Sequence, residues 1–409
     1  MSNPADRIAP EPGTRARICF VVSSPMTAEA FLGNHIAALS QRYEVHLVAN
    51  ADPDSIRHPQ LQRVTRIRAR IERAIAPLAD ARAVFELARI LRRGGYGAVH
   101  SVTPKAGLVC ALAAFIARVP VRVHTFTGQV WATQRGVGRW LLKTLDRLIA
   151  ALDTHLMTDS RSQLDFLRRE GVLGEAQGLV LAGGSICGVD PQRFAPDPSA
   201  RDAVRAELGI PSGALIFLFV GRLNRDKGVL DLASAFARVA AQREDAWLVL
   251  VGPDEAAMSA PIRSACGPYV AHARFIGHSP APERFMAAAD VFCLPSYREG
   301  FGTTIIEAAA AGLPAIGSRI YGILDAIDEP ATGLLFEAGD VGSLAAAMER
   351  LAADGGLRKT LALRARERAL REFSAAALTR ALLDFYAAVL PPTSVRSGQE
   401  ARADGEPPL

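Results

Sequence analysis

From Leu294 to Glu307 the chain reads Leu-Pro-Ser-Tyr-Arg-Glu-Gly-Phe-Gly-Thr-Thr-Ile-Ile-Glu, two carboxylates beside two glycines and two threonines at a change from apolar to alanine-rich sequence. Gly300 and Gly302 allow the backbone to approach a ligand closely, and Thr303 or Thr304 is placed to cap a helix beginning there. The free N–H groups of such a first turn, with the positive end of the helix dipole, attract a phosphate. Glu299 falls just before those donors; Glu307 lies one turn inside the helix, on the face of Thr303. Carboxylates bind hydroxyls, not phosphates, so the pair fits a nucleotide-sugar: phosphates on the backbone amides, hydroxyls on Glu299 and Glu307. A helix N-terminus decorated with stabilising acids explains the same residues, and other stretches must decide.

Further polar residues follow apolar runs. Leu215-Ile-Phe-Leu-Phe-Val220 has the unbroken apolarity of a central parallel strand, and Gly221-Arg-Leu-Asn-Arg-Asp-Lys-Gly228 after it brings Arg222 and Lys227 to the strand end. Phe275-Ile276-Gly277-His278 ends a shorter strand, of the kind against which a nucleobase lies. In the first half, Ala98 to Gly107 and Val121 to Trp131 each run from strand into turn, placing Thr103 and Lys105, then His124, Thr127 and Gly128, at the functional edge of a parallel sheet. Lys105 has the charge to hold an acceptor phosphate. A lone histidine is more often satisfied in a core than catalytic, so His124 is a candidate only. Asp52-Pro-Asp54 could be an Asp-x-Asp metal motif, but Pro between two Asp after a strand is ordinary turn chemistry.

The elements that position these residues alternate strand and helix: Arg17 to Val22, a helix near Ala30 to Gln41, the strand Tyr43 to Ala49, and so on, the order that builds doubly wound parallel sheets. At 409 residues the chain exceeds one ordinary core, and the Pro-rich stretch Gly188 to Pro198 divides it. We expect a Rossmann-like domain over residues 15–190, a linker at 191–200, a second over 201–375, and a helix at 376–392 packing back toward the first. Residues 1–14 and 393–409 are expected to be disordered.

Composition narrows the class. Hydrophobic residues make up 49%, no apolar run is long enough to span a bilayer, and the N-terminus lacks a secretory pattern, which suggests the cytoplasm. Five scattered cysteines argue against disulfides or a zinc site. The net charge of +5 is concentrated between Arg57 and Arg93, where ten arginines meet Glu72, Asp80 and Glu86. Without interleaved aromatics that segment suits anionic lipid or a lipid-linked diphosphate rather than nucleic acid. Trp131, Trp140, Leu141, Leu142 and Leu145, among Arg135, Arg139, Lys143 and Arg147, form an amphipathic stretch suited to a membrane interface; ordinary helix packing explains it almost as well.

Gly221-Arg222-x4-Lys227-Gly228 ahead of Glu299-Gly-Phe-Gly-x4-Glu307, in two βα domains around a linker, resembles glycosyltransferase family 4, of GT-B fold, over most of residues 15–390. The segments His100 to Gly107 and His124 to Thr133 are similar to the branch with capsule and O-antigen transferases and the N-glycosylation enzyme that adds GalNAc to a diphosphoundecaprenyl-linked sugar. The resemblance implies an α/β protein of two Rossmann-like domains facing a cleft. It also implies retaining transfer of an N-acetylhexosamine-type sugar from a UDP-sugar to a polyprenyl-diphosphate-linked sugar at the inner face of the plasma membrane, with no metal or other cofactor. Arg222 and Lys227, with the amides of Gly300, Phe301, Gly302 and Thr303, would bind the diphosphate, Glu299 the donor sugar, Glu307 the ribose and Ile276 the base, with Thr103, Lys105, Thr127 and Gly128 toward the acceptor. Three positions depart from the family: Ser23-Ser24-Pro25 replaces a glycine-rich turn, Thr127 a histidine, and Gly184 an asparagine. A GT-B epimerase or hydrolase acting on the UDP-sugar alone, and a membrane-docked subunit without catalysis, are the rival readings.

Overall fold

The computed structural model describes residues 15–72 and 76–390. The disorder expected at both termini, and Arg73 of the arginine cluster, lie outside the described residues.

Two six-stranded parallel sheets organise the chain. The first contains β1 (Arg17–Val22), β2 (Glu44–Ala49), β3 (Thr65–Arg68), β4 (Ala98–Val102), β5 (Val121–Phe126) and β6 (His155–Thr158), in the order β3-β2-β1-β4-β5-β6. The second contains β7 (Leu215–Val220), β8 (Ala246–Val251), β9 (Ala273–Gly277), β10 (Val291–Leu294), β11 (Ala315–Ser318) and β12 (Gly333–Phe336), in the order β12-β11-β10-β7-β8-β9. Both follow one doubly wound plan, in which the winding direction reverses between β1 and β4 and between β7 and β10. At such a reversal the loops leaving adjacent strands diverge and open a crevice at the strands' carboxyl ends. β1, β7, β8 and β10 are buried nearly throughout, as unbroken apolar runs require when helices cover both faces.

Several elements differ from the expected ones. The single helix anticipated near Ala30 to Gln41 is two, Pro25–Phe31 and Gly33–Leu39. Gly33 begins the second against the His58 ring, where a Cβ would lie 2.3 Å from Cε1. β3, β6, β11 and β12, of four residues each, were not anticipated. After β12 come three helices, Val341–Ala353, Gly355–Glu372 and Ala375–Val389, the last being the one expected at 376–392. The last returns to the first sheet, where Leu382 and Tyr386 join the core; the Tyr386 hydroxyl bonds His100 Nδ1 at 3.0 Å, and His35 Nδ1 bonds Thr379 Oγ1 at 2.9 Å. The chain thus passes between the sheets twice, and the passages are joined: Val189 N donates to Phe373 O (2.8 Å) and Ala375 N to Val189 O (2.9 Å).

Candidate active site

Both predicted anion-binding loops of the second domain leave the reversal point, one after β7 and one after β10. They touch backbone to backbone: a Cβ on Gly228, whose φ is 64°, would lie 2.0 Å from Pro295 O. Asn224 caps the short turn Arg225–Lys227 by accepting from Lys227 N at 3.1 Å, which aims the lysine across the crevice. Its ammonium forms an ion pair with Glu299 Oε1, and that oxygen also accepts from the buried Ser296 hydroxyl at 2.8 Å. Arg222 stands at the exposed rim, 3.3 Å from Glu255 Oε2.

The helix after the glycine loop spans Thr303–Ala310. Neither threonine caps it: Gly302 occupies the N-cap at φ 78° and, among the described residues, no side chain makes a capping bond, while the Thr303 hydroxyl lies 3.4 Å from Ser185 Oγ. The expectation of a threonine cap is therefore corrected; Ile305 N is taken by Gly302 O at 2.8 Å, and the amides before it keep their capacity for an anion. Phe301 contributes only its backbone, because its ring is buried and meets Phe373 edge-on at 5.2 Å. Glu307 is half-buried, and desolvation pushes its carboxyl up to about 8, against a smaller downward pull from Arg193 and an upward push from Glu283. Ile276 is half-buried on the edge strand β9.

On the facing domain, Thr103 lies between β4 and the helix Pro104–Ala117 at φ 79°, a strained conformation for threonine, with its hydroxyl 3.2 Å from Ser23 Oγ. The Lys105 ammonium is committed to Asp80. Gly128 meets the Glu299 loop directly: a Cβ there would lie 3.0 Å from the Glu299 carbonyl carbon and 3.1 Å from Gly300 N. Thr127 is half-buried, and its carbonyl accepts from Gln129 Nε2 and Gln163 Nε2, each at 2.8 Å.

Two expectations fail for the same reason, burial. His124 is 1% exposed inside the first domain, its Nδ1 2.8 Å from Ser101 Oγ and its ring beneath Gly107, where a Cβ would come within 2.4 Å. Desolvation lowers its pKa to about 3, which describes a neutral core histidine and removes it from the catalytic set. Trp131 is likewise 1% exposed, donating to Asp146 Oδ2 at 2.7 Å, so it is not part of a membrane-facing surface. The Asp52-Pro-Asp54 segment is the expected turn, Asp52 accepting from Asp54 N at 3.0 Å.

Sequence reasoning missed Arg298, which spans the cleft: Nη1 donates to Gly128 O at 3.1 Å and Nη2 pairs with Asp226 at 3.0 Å. Its place directly before Glu299 was the available signal. It also missed Tyr321, stacked on Phe166 at 4.4 Å and accepting from Gln129 N at 3.2 Å.

Residues 200–368 match the family described as glycosyl transferases group 1, and residues 27–182 match the glycosyl transferase 4-like domain. An alpha-maltose-1-phosphate synthase of Mycolicibacterium smegmatis is 31% identical over 70% of this chain and 78% of its own. The chain belongs to the group 1 glycosyl transferases. This glycosyltransferase is also 27% identical to the capsular polysaccharide biosynthesis glycosyltransferase CapM of Staphylococcus aureus, over 77% of this chain and 83% of that protein. It is 28% identical to an Escherichia coli UDP-Gal:alpha-D-GlcNAc-diphosphoundecaprenol alpha-1,3-galactosyltransferase, over 69% and 73%. Among solved structures, HepE of Anabaena in complex with UDP and glucose superposes with a TM-score of 0.75 at 19% identity, covering 90% of this chain and 99% of that one. The glycosyltransferase WaaG superposes at 0.71 with 18% identity, covering 90% and 99%. The fold is GT-B.

Proposed function

We propose that this glycosyltransferase moves a sugar, of N-acetylhexosamine type, from a UDP donor to a diphosphoundecaprenyl-linked saccharide in the assembly of a bacterial surface polysaccharide, with retention at the anomeric carbon. The observation that carries the reading is the convergence of Lys227, Arg222 and the uncapped Thr303–Ala310 helix on one crevice, with Glu299 held between Lys227 and the first domain. A diphosphate there meets two cations and free amides, and the sugar beyond it meets Glu299. Relatives support the choice of donor and acceptor: HepE is solved with UDP-glucose, and the E. coli relative is named for a UDP-sugar and a diphosphoundecaprenol acceptor.

In this proposal the acceptor hydroxyl oxygen attacks the anomeric carbon on the face that UDP leaves. The bond from that carbon to the β-phosphate oxygen breaks, and the hydroxyl proton passes to the departing phosphate. Arg222 and Lys227 take up the charge that grows on the phosphate, so no metal ion is assigned to the step. Lys227→Ala and Arg222→Ala should each lower kcat by about 100-fold, the scale on which single transition-state electrostatic contacts act, with little change in Tm. Near-normal turnover in either variant overturns the role. The test is a screen of UDP-GalNAc, UDP-GlcNAc, UDP-FucNAc and UDP-glucose against a short diphosphoprenyl-linked sugar; UDP release that needs no acceptor would favour a hydrolase or epimerase.

Membrane attachment belongs to the same proposal. Among the described residues no helix is long and apolar enough to cross a membrane. The helix Gly136–Leu152 exposes Val137, Trp140 and Leu141 beside Arg135 and Arg139, the composition of an interfacial helix. Flotation with anionic liposomes at low salt should carry the protein, and Trp140→Ala should weaken it.

A further inference from the structure

Gly300 sits at the centre of the donor loop, yet it is not among the residues with positive φ. Its backbone does not need glycine; its surroundings do. A Cβ at 300 would lie 2.5 Å from Asp159 Oδ2 and 2.9 Å from Gly128 N, both in the first domain. The Gly300 carbonyl accepts a buried hydrogen bond of 2.9 Å from Ser160 Oγ, again in the first domain. Gly128, the opposing glycine, is also absent from the positive-φ residues, and the backbone of Glu299 and Gly300 fills the place of its missing side chain. Two glycines therefore face each other across the cleft, each made necessary by the other domain.

Asp159 is 5% exposed, and among the described residues its Oδ1 has no hydrogen-bond partner. Its backbone is fixed on both sides: Asp159 N donates to Gln163 Oε1 at 2.8 Å, and Asp159 O accepts from Ser185 N at 2.6 Å. Desolvation holds this carboxyl well above the usual carboxylate range, so a group pressed against the phosphate-binding loop does not bring a negative charge to it near neutral pH. No step of the transfer uses it.

We propose that Asp159 and Ser160, with Gly128, are positioning residues: the end of β6 and the loop after β5 shape the Gly300 peptide, so that the loop carrying Glu299 reaches its working form only when the two domains are in contact. The proposal deepens the assignment of this cleft to sugar transfer and rests on that reading for its effect on turnover. UDP itself is gripped from the second domain, through Arg222, Lys227 and the first-turn amides. The contact with the first domain therefore governs the chemical step and not nucleotide affinity, a division that uniform binding cannot produce.

The experiment compares Ser160→Ala, Ser160→Thr and Gly128→Ala with the wild-type chain by three readouts: UDP affinity by calorimetry, kcat for transfer, and hydrogen exchange of the amides at 299–303 with UDP bound. Ser160→Ala should lower kcat by about fivefold, the worth of one buried hydrogen bond, and Gly128→Ala by at least as much. Both should speed exchange at 299–303 and leave the UDP Kd within twofold, while Ser160→Thr, which keeps the hydroxyl, should restore both readouts. UDP affinity falling in step with kcat overturns the proposal. So does faster exchange confined to 161–169, the helix that Ser160 caps by accepting from Gln163 N. If the wild-type chain binds UDP but serves no lipid-linked acceptor, the transferase reading fails while the exchange data still decide the positioning roles.

Discussion

Glu299 and Glu307 are both glutamates of one loop and helix, but their surroundings give them different work. Glu299 accepts from Lys227 and Ser296, two donors that hold one of its oxygens and leave the other for the sugar hydroxyl proposed above. Glu307 is desolvated and gains no ion pair among the described residues, and its carboxyl rises to about 8. At pH 7 it therefore carries a proton before nucleotide binds. Ribose hydroxyls donating to it would favour the ionised form and lower that pKa, so nucleotide binding should expel a proton. The expected outcome is proton release on UDP binding at pH 7, seen as a dependence of the calorimetric enthalpy on buffer ionisation enthalpy, with affinity rising as the pH approaches 8. Glu307→Gln should abolish the release; release that persists in the variant removes Glu307 from the ribose site.

Elements hold these residues through a few buried ionic contacts away from the chemistry. Asp290, just before β10, accepts from Arg201 Nη2 at 2.7 Å, Arg205 Nη2 at 2.8 Å and Ile216 N at 2.8 Å, tying the helix Pro198–Glu207 to β7 and β10. Arg205 is 2% exposed, so Asp290→Ala leaves a buried guanidinium unpaired and should cost about 3–5 kcal/mol of stability in chemical denaturation. A loss below about 1 kcal/mol would show that the carbonyls around Arg205, those of Ala288, Ser212 and Ala214, suffice for it. The long apolar strands β1, β7 and β8 and the loops after β7 and β10 were legible in the sequence because continuous burial writes a continuous apolar run. Of the four-residue strands, the all-apolar β10 was legible, and β3, β6, β11 and β12 were not. β3 reads Thr-Arg-Ile-Arg at a sheet edge, with a single apolar residue, β11 is an Ala-Ile-Gly-Ser segment whose burial comes entirely from its neighbours, and β6 gives no periodicity in so short a span. Missing β6 hid Asp159 and Ser160, which follow it. His124 misled for a related reason: its strand position was readable, but which sheet face it points from depends on packing that the sequence does not display.

At the scale of the molecule, the buried titratable groups oppose one another in their pH dependence. Desolvation lowers His35, and lowers His100 and His124 to about 3. These stay neutral in the fold but take up protons when unfolded below about 6.5, so their contribution to stability is present above that pH and is lost as it falls. Buried acids act in the reverse sense. Desolvation raises Asp146 to about 6, Asp153 to about 7, and Asp159 and Glu307 to about 8. The folded chain keeps their protons where the unfolded chain has released them, so each lowers stability progressively as pH rises from about 4 toward its folded pKa. Below about 6.5 the two sets offset each other; above it the histidine contribution is complete and only the acids still titrate. Without ligand, Tm should therefore fall between pH 6.5 and 8, with the steepest part set by the two cleft acids. Asp159→Asn and Glu307→Gln, measured by thermal unfolding across that range, should each flatten the decline, and additively, since each variant removes one titration. A wild-type Tm that is flat or rising over the same interval would mean that Asp159 and Glu307 ionise freely in the closed cleft, and the proton release expected on UDP binding would then be absent as well.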